Sequence, residues 1–390
     1  MKKEKAKNIL FYTALTIELL ILLIDKSALT NPIEGRLFQI TFLLFFLKLC
    51  VTEYTPKEWI WIAVFEILGL ISYMVTGRNE IIRIVTMIAA CKDIDMRTVF
   101  SYMFKVVLTG CLLIVVLSMS GVLGSVNITG VFRGDQTETR YCLGMGHPNA
   151  LHCMFFMILL LVMYLYGEKM RLYQFLAAFF LNIGMFMLTG SKTGTMVSAF
   201  AILFTMIMQY FPKLREMPTV YILTMVELAG CAFIAFWAAI HSRILPYYPN
   251  LRKFDRLLSD RIVNLYYNSE VHAGTLSTWT LWGVPENEYY FDLGWVRLFY
   301  WYGIIPACIY LAILFLLIRQ LQKERDYRGL VILTSLFIYT LVEAHIISVY
   351  LARDYTLFLI GAYWTKMFGA NKGNKGYFWN IARMILKKDE

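Results

Sequence analysis

Apolar runs follow one another along almost the whole chain, separated by short polar breaks. About 20 predominantly apolar residues suffice for an α-helix to cross the hydrocarbon core of a bilayer. Read this way, the pattern predicts twelve spans, near residues 8–24, 37–51, 58–75, 80–91, 98–120, 148–166, 172–188, 193–210, 219–240, 294–318, 329–347 and 355–368. Segment 80–91 is the weakest, being short and interrupted by Arg83; if it does not cross, every later loop changes side. In the interval 249–267, Phe254, Leu257, Leu258, Ile262 and Leu265 recur at helical spacing, with Arg252, Arg256 and Asp260 on another face. That pattern predicts one amphipathic helix lying on the membrane surface. The expected fold is an all-α polytopic membrane protein with 1–390 as a single integral membrane domain. Its loops are a first outer loop at 121–147 and a long extracytoplasmic loop at 241–293. A basic cytoplasmic tail follows at 369–390, within which 377–386 reads as a small interfacial helix.

Composition supports the membrane reading. Of the 390 residues 59% are hydrophobic and 16% charged, against about a quarter charged in soluble domains. The first apolar run carries Glu18 and lacks a clear small-residue cleavage site, so an uncleaved first span is expected rather than a signal peptide. Seven scattered cysteines contain no CxxC pair and read as small core residues. The net charge of +10 lies mainly beside spans and calls for no nucleic-acid partner. With the N-terminus in the cytoplasm, Lys and Arg concentrate in the inner segments and both termini fall inside. Two outer loops break that rule. One holds Arg133 and Arg140; the other holds His241, Arg243, Arg252, Lys253, Arg256, Arg261 and His272. Long loops translocate largely regardless of charge, so the topology survives, but these cations need a role on that face.

The densest candidate chemistry is Arg140 to Asn149, RYCLGMGHPN. Pro148 suits the first position of a helix, which puts His147 on a loop at the mouth of an apolar span. Unpaired N–H groups and partial positive charge at such a mouth suit an anion. The hairpin 187–196, MLTGSKTGTM, places Ser191, Lys192 and Thr193 at the outer rim. Arg133, Arg140, Lys192, Arg252, Arg256 and Arg261 match a phosphate-bearing ligand; headgroup contacts or pairing with Asp255, Asp260 or Glu270 are the plainer alternative. The stretch 277–303 mixes Trp and Tyr with Glu286, Glu288 and Asp292, as sugar recognition or an interfacial aromatic belt would. Asp292, His147 and His272 are rival general bases. Glu18, Glu66, Glu227 and Glu343 fall within or at the ends of spans and need partners there, Glu343 with His345 forming the most suggestive pair. No P-loop, Ser-His-Asp order or metal-ligand spacing appears, so no cofactor and no metal are expected.

Several of these segments resemble those of Wzy-type polysaccharide polymerases and the related O-antigen ligases. RYCLGMGHPN resembles the family's R-x-x-LGF-GHPN segment, LTGSKTG a T-x-SRT turn, LLSDRI an LLSGR run, and FDLGWVRLFYWYGII a D-N/S-x-Y-x-x-L-x-x-x-G-I run. Lys192 stands where arginine is usual, Asp260 where glycine is usual, and Gly294 near a polar-aromatic site. The resemblance implies a GT-C-like architecture and a site using Arg140, His147, Asn149, Ser191, Lys192, Arg261 and Asp292. It implies a metal-free glycosyl transfer outside the cytoplasm. The hydroxyl of one undecaprenyl-diphosphate-linked repeat unit would attack the anomeric carbon of a growing chain, building capsular or exopolysaccharide. The implied partners are those lipid-linked oligosaccharides, membrane lipids, a chain-length regulator and a flippase. The ligase-type histidine after the long loop is absent, which favours a polymerase over a ligase. A lipid-linked oligosaccharide transporter is the rival of another class; the one-sided charge distribution speaks against it.

Overall fold

The computed structural model describes residues 2–133, 136–258, 260–346 and 348–369. Its helices are α1 (Lys2–Lys26), α2 (Glu34–Val51), α3 (Pro56–Thr76), α4 (Glu80–Ala90) and α5 (Met96–Met119). An antiparallel ribbon, β1 (Asn127–Arg133) and β2 (Gln136–Tyr141), follows. Next come α6 (Pro148–Tyr166), α7 (Leu172–Thr189), α8 (Lys192–Tyr210), α9 (Lys213–Glu216) and α10 (Pro218–His241). The long loop contains α11 (Pro249–Leu257) and α12 (Arg261–Tyr267), and the chain closes with α13 (Gly294–Tyr302), α14 (Ile304–Glu324), α15 (Tyr327–Val342) and α16 (Tyr355–Phe368).

Local sequence sets the boundaries. Thr55 and Glu58 form a reciprocal capping box around Pro56, and Gly77, at φ 72°, closes the other end of α3. Asp95 caps α5 and Asp326 caps α15, each accepting from backbone N–H groups of the first turn. Eight helices, α1, α3, α5, α6, α7, α8, α10 and α14, are long and apolar enough to cross a membrane. The chain is an all-α polytopic membrane protein, the short ribbon aside. The other predicted spans fall on α2, α4, α15 and α16, of 18, 11, 16 and 14 residues. At 1.5 Å per residue α4 is only about 16 Å long, roughly half a bilayer core. It is wrapped by α2, α3 and α16, and nine of its residues, from Glu80 to Ala90, are buried. Its ends therefore meet protein rather than lipid.

Two opposite ends of the bundle emerge from the side-chain pairs. At one end Lys3 meets Glu53, Lys7 meets Asp93, Lys92 meets Glu58, Arg328 meets Glu168 and Lys366 meets Glu324. At the other, Ser27 bridges Met145, Arg78 donates to the Asn287 carbonyl, and Arg261 meets Glu343. Large apolar side chains such as Met74, Val116, Phe180, Met187 and Phe233 point outward from the long helices, as lipid-facing positions do.

Three predicted elements are corrected. The single span 294–318 is two helices meeting at Gly303, whose φ is +89°. The loop before α13 crosses that break: Ile304 and Ile305 donate to the Thr280 and Leu281 carbonyls at 2.9 and 3.0 Å, which satisfies N–H groups a helix start leaves open. The span 329–347 ends at Val342, after which Glu343 is extended at φ −136°. The surface helix 249–267 breaks into α11 and α12 around Asp260, at φ 60°. Buried Asp255 reaches across this break and accepts from Ile262 N and Val263 N at 2.9 and 3.0 Å. The predicted tail helix at 377–386 lies outside the described residues.

The break at Gly303 gives the first prediction. A Cβ there would stand 2.5 Å from Gly283 N, so Gly303→Ala combines a clash with an unfavourable φ. It is expected to cost more than about 1 kcal/mol, seen as a lower midpoint of thermal unfolding in detergent. Gly184→Ala, where a Cβ meets nothing within 4 Å, should not lower it.

Candidate functional site

The RYCLGMGHPN segment is pinned to the end of α1. Gly146 donates to the Lys26 carbonyl and Ala28 to the Gly144 carbonyl, both at 3.0 Å. Gly144 sits at φ +79°, and a Cβ would stand 2.7 Å from Ser118 Cβ, so only glycine allows this approach to α5. His147 follows in extended conformation as the N-cap of α6, with Pro148 at the first helical position. Its Nδ1 accepts from Asn149 N at 3.1 Å. The neutral ring therefore carries its proton on Nε2. Burial and the Arg140 guanidinium hold this imidazole below its ordinary value, while Asp292 partly offsets them.

Arg140 is buried at the end of β2 and donates through Nε and Nη2 to Glu138 at 3.0 and 2.6 Å. The hairpin between α7 and α8 closes over it. Gly190, at φ +64°, leaves room where a Cβ would come within 2.9 Å of the Arg140 Nε. One turn into α6, His152 was not anticipated. It is buried, with Nδ1 2.9 Å from the Thr189 hydroxyl and Gly194 packed on its ring. The hairpin glycines thus allow close packing on Arg140 and His152, while Gly144 and Gly146 pack against α5 and the end of α1.

The second half of the site is an ionic bridge. Arg261, first residue of α12, donates through Nε to Asp292 at 3.2 Å and through Nη2 to Glu343 at 2.6 Å. The three side chains come from the long loop, the mouth of α13 and the end of α15. Arg261 and Glu343 are 12% and 21% exposed, whereas Asp292 is 44% exposed. The bridge thus fixes one carboxylate that solvent and ligand can reach. Burial raises the Glu343 carboxyl above its ordinary value, although Arg261 works against the shift.

Both carboxylates line a cavity of about 470 Å³ that also includes Lys26, His147, Asn149, Tyr290, His345 and Arg353. The mouth of α6 and the bridge therefore face one space. His345 Nε2 lies 2.8 Å from the Arg353 carbonyl; that oxygen can only accept, so Nε2 carries the proton. Arg353 in turn donates to the Ala344 and His345 carbonyls. Arg297, in α13, donates to the same Ala344 carbonyl at 3.3 Å. Two buried arginines thus hold the irregular backbone after α15. Lys26, Tyr290, His345 and Arg353 gave no signal as a group in the sequence, because they are drawn from three distant segments. Their shared feature, a polar residue next to the end of an apolar run, is common at any bilayer boundary.

The remaining candidates lie elsewhere. Ser191 is buried at the start of α8 and Lys192 beside it is exposed. Arg252 pairs with Asp260 at 2.6 Å and with Asp255 at 3.5 Å, and Arg256 is exposed. His272 stacks on Tyr266 in a separate hollow. Arg133 ends β1, and its side chain lies outside the described residues. Among the described residues, the cavity wall carries His147, Asn149 and Asp292 of the candidates expected from the sequence, together with the Glu343 and His345 pair. Arg261 reaches it only through its carboxylates, so the guanidinium expected to face a ligand is already engaged. Among the described residues no group of three or more His, Cys, Asp and Glu stands together as metal ligands. The arrangement offers a fixed carboxylate as proton acceptor, a neutral imidazole as donor, and Lys26 and Arg353 as cations. No protein-family model, curated protein or solved structure matches the chain.

Two predictions follow from this geometry. Arg261→Met leaves two carboxylates facing each other without their cation, one of them mostly buried. Breaking such a pair is expected to cost roughly 3 kcal/mol, measurable as loss of unfolding free energy. Adding Glu343→Gln should recover part of it. The second concerns pH. His345 is held below the ordinary 6.5 by burial and by Arg353, as His147 is by burial and by Arg140. The unfolded chain then binds more protons below 6.5, so stability present above that value is lost as pH falls through the folded-state values. Glu343 acts oppositely, since its raised carboxyl favours the folded state as pH falls toward 4.5. Thermal unfolding across pH should therefore show an acid loss that His345→Gln diminishes.

Proposed function

We propose that this chain is a glycosyltransferase of the Wzy-type polymerase class. It would join polyprenyl-diphosphate-linked oligosaccharide repeat units at the outer face of a bacterial cytoplasmic membrane. The observation that carries the reading is the single cavity onto which both His147, from the GHPN segment, and Asp292, from the segment before α13, open. The two come from separate motifs of the family resemblance, 145 residues apart in the chain. The reading includes twelve passes, with α2, α4, α15 and α16 added to the eight long helices, and both termini on the cytoplasmic side.

In this mechanism the acceptor sugar hydroxyl lies against Asp292, which takes its proton as the oxygen bonds to the anomeric carbon of the donor. The bond from that carbon to the diphosphate oxygen breaks, and the electron pair leaves with the diphosphate. A single displacement of this kind inverts the anomeric centre. Charge grows on the departing diphosphate, so cations fixed beforehand lower the barrier. Lys26 and Arg353 stand on the cavity wall for that role, and His147, on the same wall, would pass its Nε2 proton to the leaving oxygen. Arg140 acts one layer back, favouring the neutral form of His147. Arg261 positions Asp292, and it can exchange a carboxylate for a phosphate oxygen when substrate arrives. Two substrates tethered to one membrane also gain proximity and orientation.

The test uses the full chain in lipid nanodiscs with lipid-linked repeat units extracted from the bacterium that carries it. Wild type should yield a ladder of lengthened glycans. Asp292→Asn should slow it by about 10² or more, and Lys26→Gln combined with Arg353→Gln should also slow it. A wild-type ladder unchanged in Asp292→Asn would remove Asp292 from the chemistry. No ladder from wild type would count against the polymerase.

A further inference from the structure

A second hollow, of about 420 Å³, opens on the same end of the bundle and takes no part in the steps above. Its wall includes Ile240, Arg243, Tyr266, His272, Thr275 and Ser277. Tyr266 and His272 form a stacked pair, ring centroids 3.7 Å apart and planes 8° from parallel. His272 adopts φ +51° to fold back onto the tyrosine. A left-handed conformation at a residue with a side chain is strained, and such strain tends to gather at binding sites. The Nδ1 of His272 donates to the Tyr266 carbonyl at 2.7 Å, so the neutral ring offers Nε2 as an acceptor. Thr275 and Ser277 hydroxyls, 2.8 Å apart, sit on the rim. The Arg243 guanidinium lies 5.8 Å from the Tyr266 ring centroid. Among the described residues no carboxylate pairs with it.

We infer that this hollow is a glycan subsite that takes a sugar residue bearing an acidic group, away from the reacting end of the chain. The inference rests on the polymerase reading. Flat aromatic faces pack on the C–H faces of pyranoses, the hydroxyls and His272 Nε2 match sugar hydroxyls, and Arg243 matches a carboxylate or phosphate substituent. Placement agrees with the role. Helix α12 begins with Arg261 at the bridge and carries Tyr266 five residues later, roughly 8 Å along its axis. A short run of linked sugars covers that interval, so one glycan can occupy both places. A subsite here retains the glycan between additions without touching the reacting atoms.

The probe is the water-soluble oligosaccharide released by mild acid from the same lipid extract. Its binding to the purified full chain is followed by saturation-transfer NMR in zwitterionic nanodiscs, and product length by gel. The variants are Arg243→Gln and Ser277→Ala, both at exposed positions, and Tyr266→Leu. Arg243→Gln and Tyr266→Leu should each bind about tenfold more weakly and give shorter products, with the rate of the first addition little changed. Ser277→Ala should have a smaller effect. Binding and length distribution unchanged in Arg243→Gln and Ser277→Ala, beside an active wild type, overturn the subsite and leave the polymerase reading intact. Binding weakened by Arg243→Gln without any wild-type ladder supports the subsite and sinks the polymerase. Binding absent from wild type overturns the subsite. If Arg243→Gln weakens only the association of phosphatidylglycerol with the protein, the hollow is a lipid-headgroup contact and the inference fails.

Discussion

One ion bridge ties the end of the bundle that holds the candidate site together. Arg261 joins Asp292 to Glu343, and so joins the long loop to the start of α13 and the end of α15. A cation with so little exposure must be compensated where it stands. The two carboxylates do this, and in doing so they are held in position. The same contact that stabilises the loop leaves Asp292 partly exposed toward the cavity. Asp255 supports it from behind by fixing the first N–H groups of α12; without that anchor Arg261 would hang on a seven-residue helix with no side-chain cap.

The other half of the site depends on glycine rather than on charge. Gly144, Gly190 and Gly194 let backbone approach α5, Arg140 and His152 respectively. Their effect is to bring β2, the mouth of α6 and the α7–α8 hairpin into contact, so that Arg140 lies near enough to influence His147. The irregular backbone after α15 is handled differently, by two buried arginines donating to the Ala344 carbonyl. Non-helical backbone near a membrane needs its polar groups satisfied by protein. Here one of the side chains that satisfy them, Arg353, also supplies part of the cavity wall.

Several features were legible beforehand, each for a local reason. Pro148 and His147 take the positions expected because a proline at a helix start restricts only its immediate neighbours. The long apolar runs form helices because the pattern repeats over many turns. Local patterning failed where a distant contact decides. The run from 294 to 318 is apolar but for Arg297, yet it breaks at Gly303 because the loop around Gly283 packs against it. The repeat between 249 and 267 is helical in period, yet it breaks at Asp260, where Asp255 reaches past the turn to bind Ile262 and Val263. Arg261 and Glu343 each stood out, but nothing in their spacing paired them across 82 positions.

By itself the sequence determined that this is a helical membrane protein, where most of its helices run, and which polar residues stand at their ends. Those properties follow from hydropathy and helix-end chemistry, which act over a few turns. The tertiary structure alone decided which of the polar residues meet. It drew Lys26, His147, Asp292, Glu343 and Arg353 to one cavity, left Arg252, Arg256 and His272 outside it, and spent Arg261 on carboxylates. Burying a charge is unfavourable unless a partner is at hand, and in a folded bundle the partner is chosen by position in space rather than by distance along the chain.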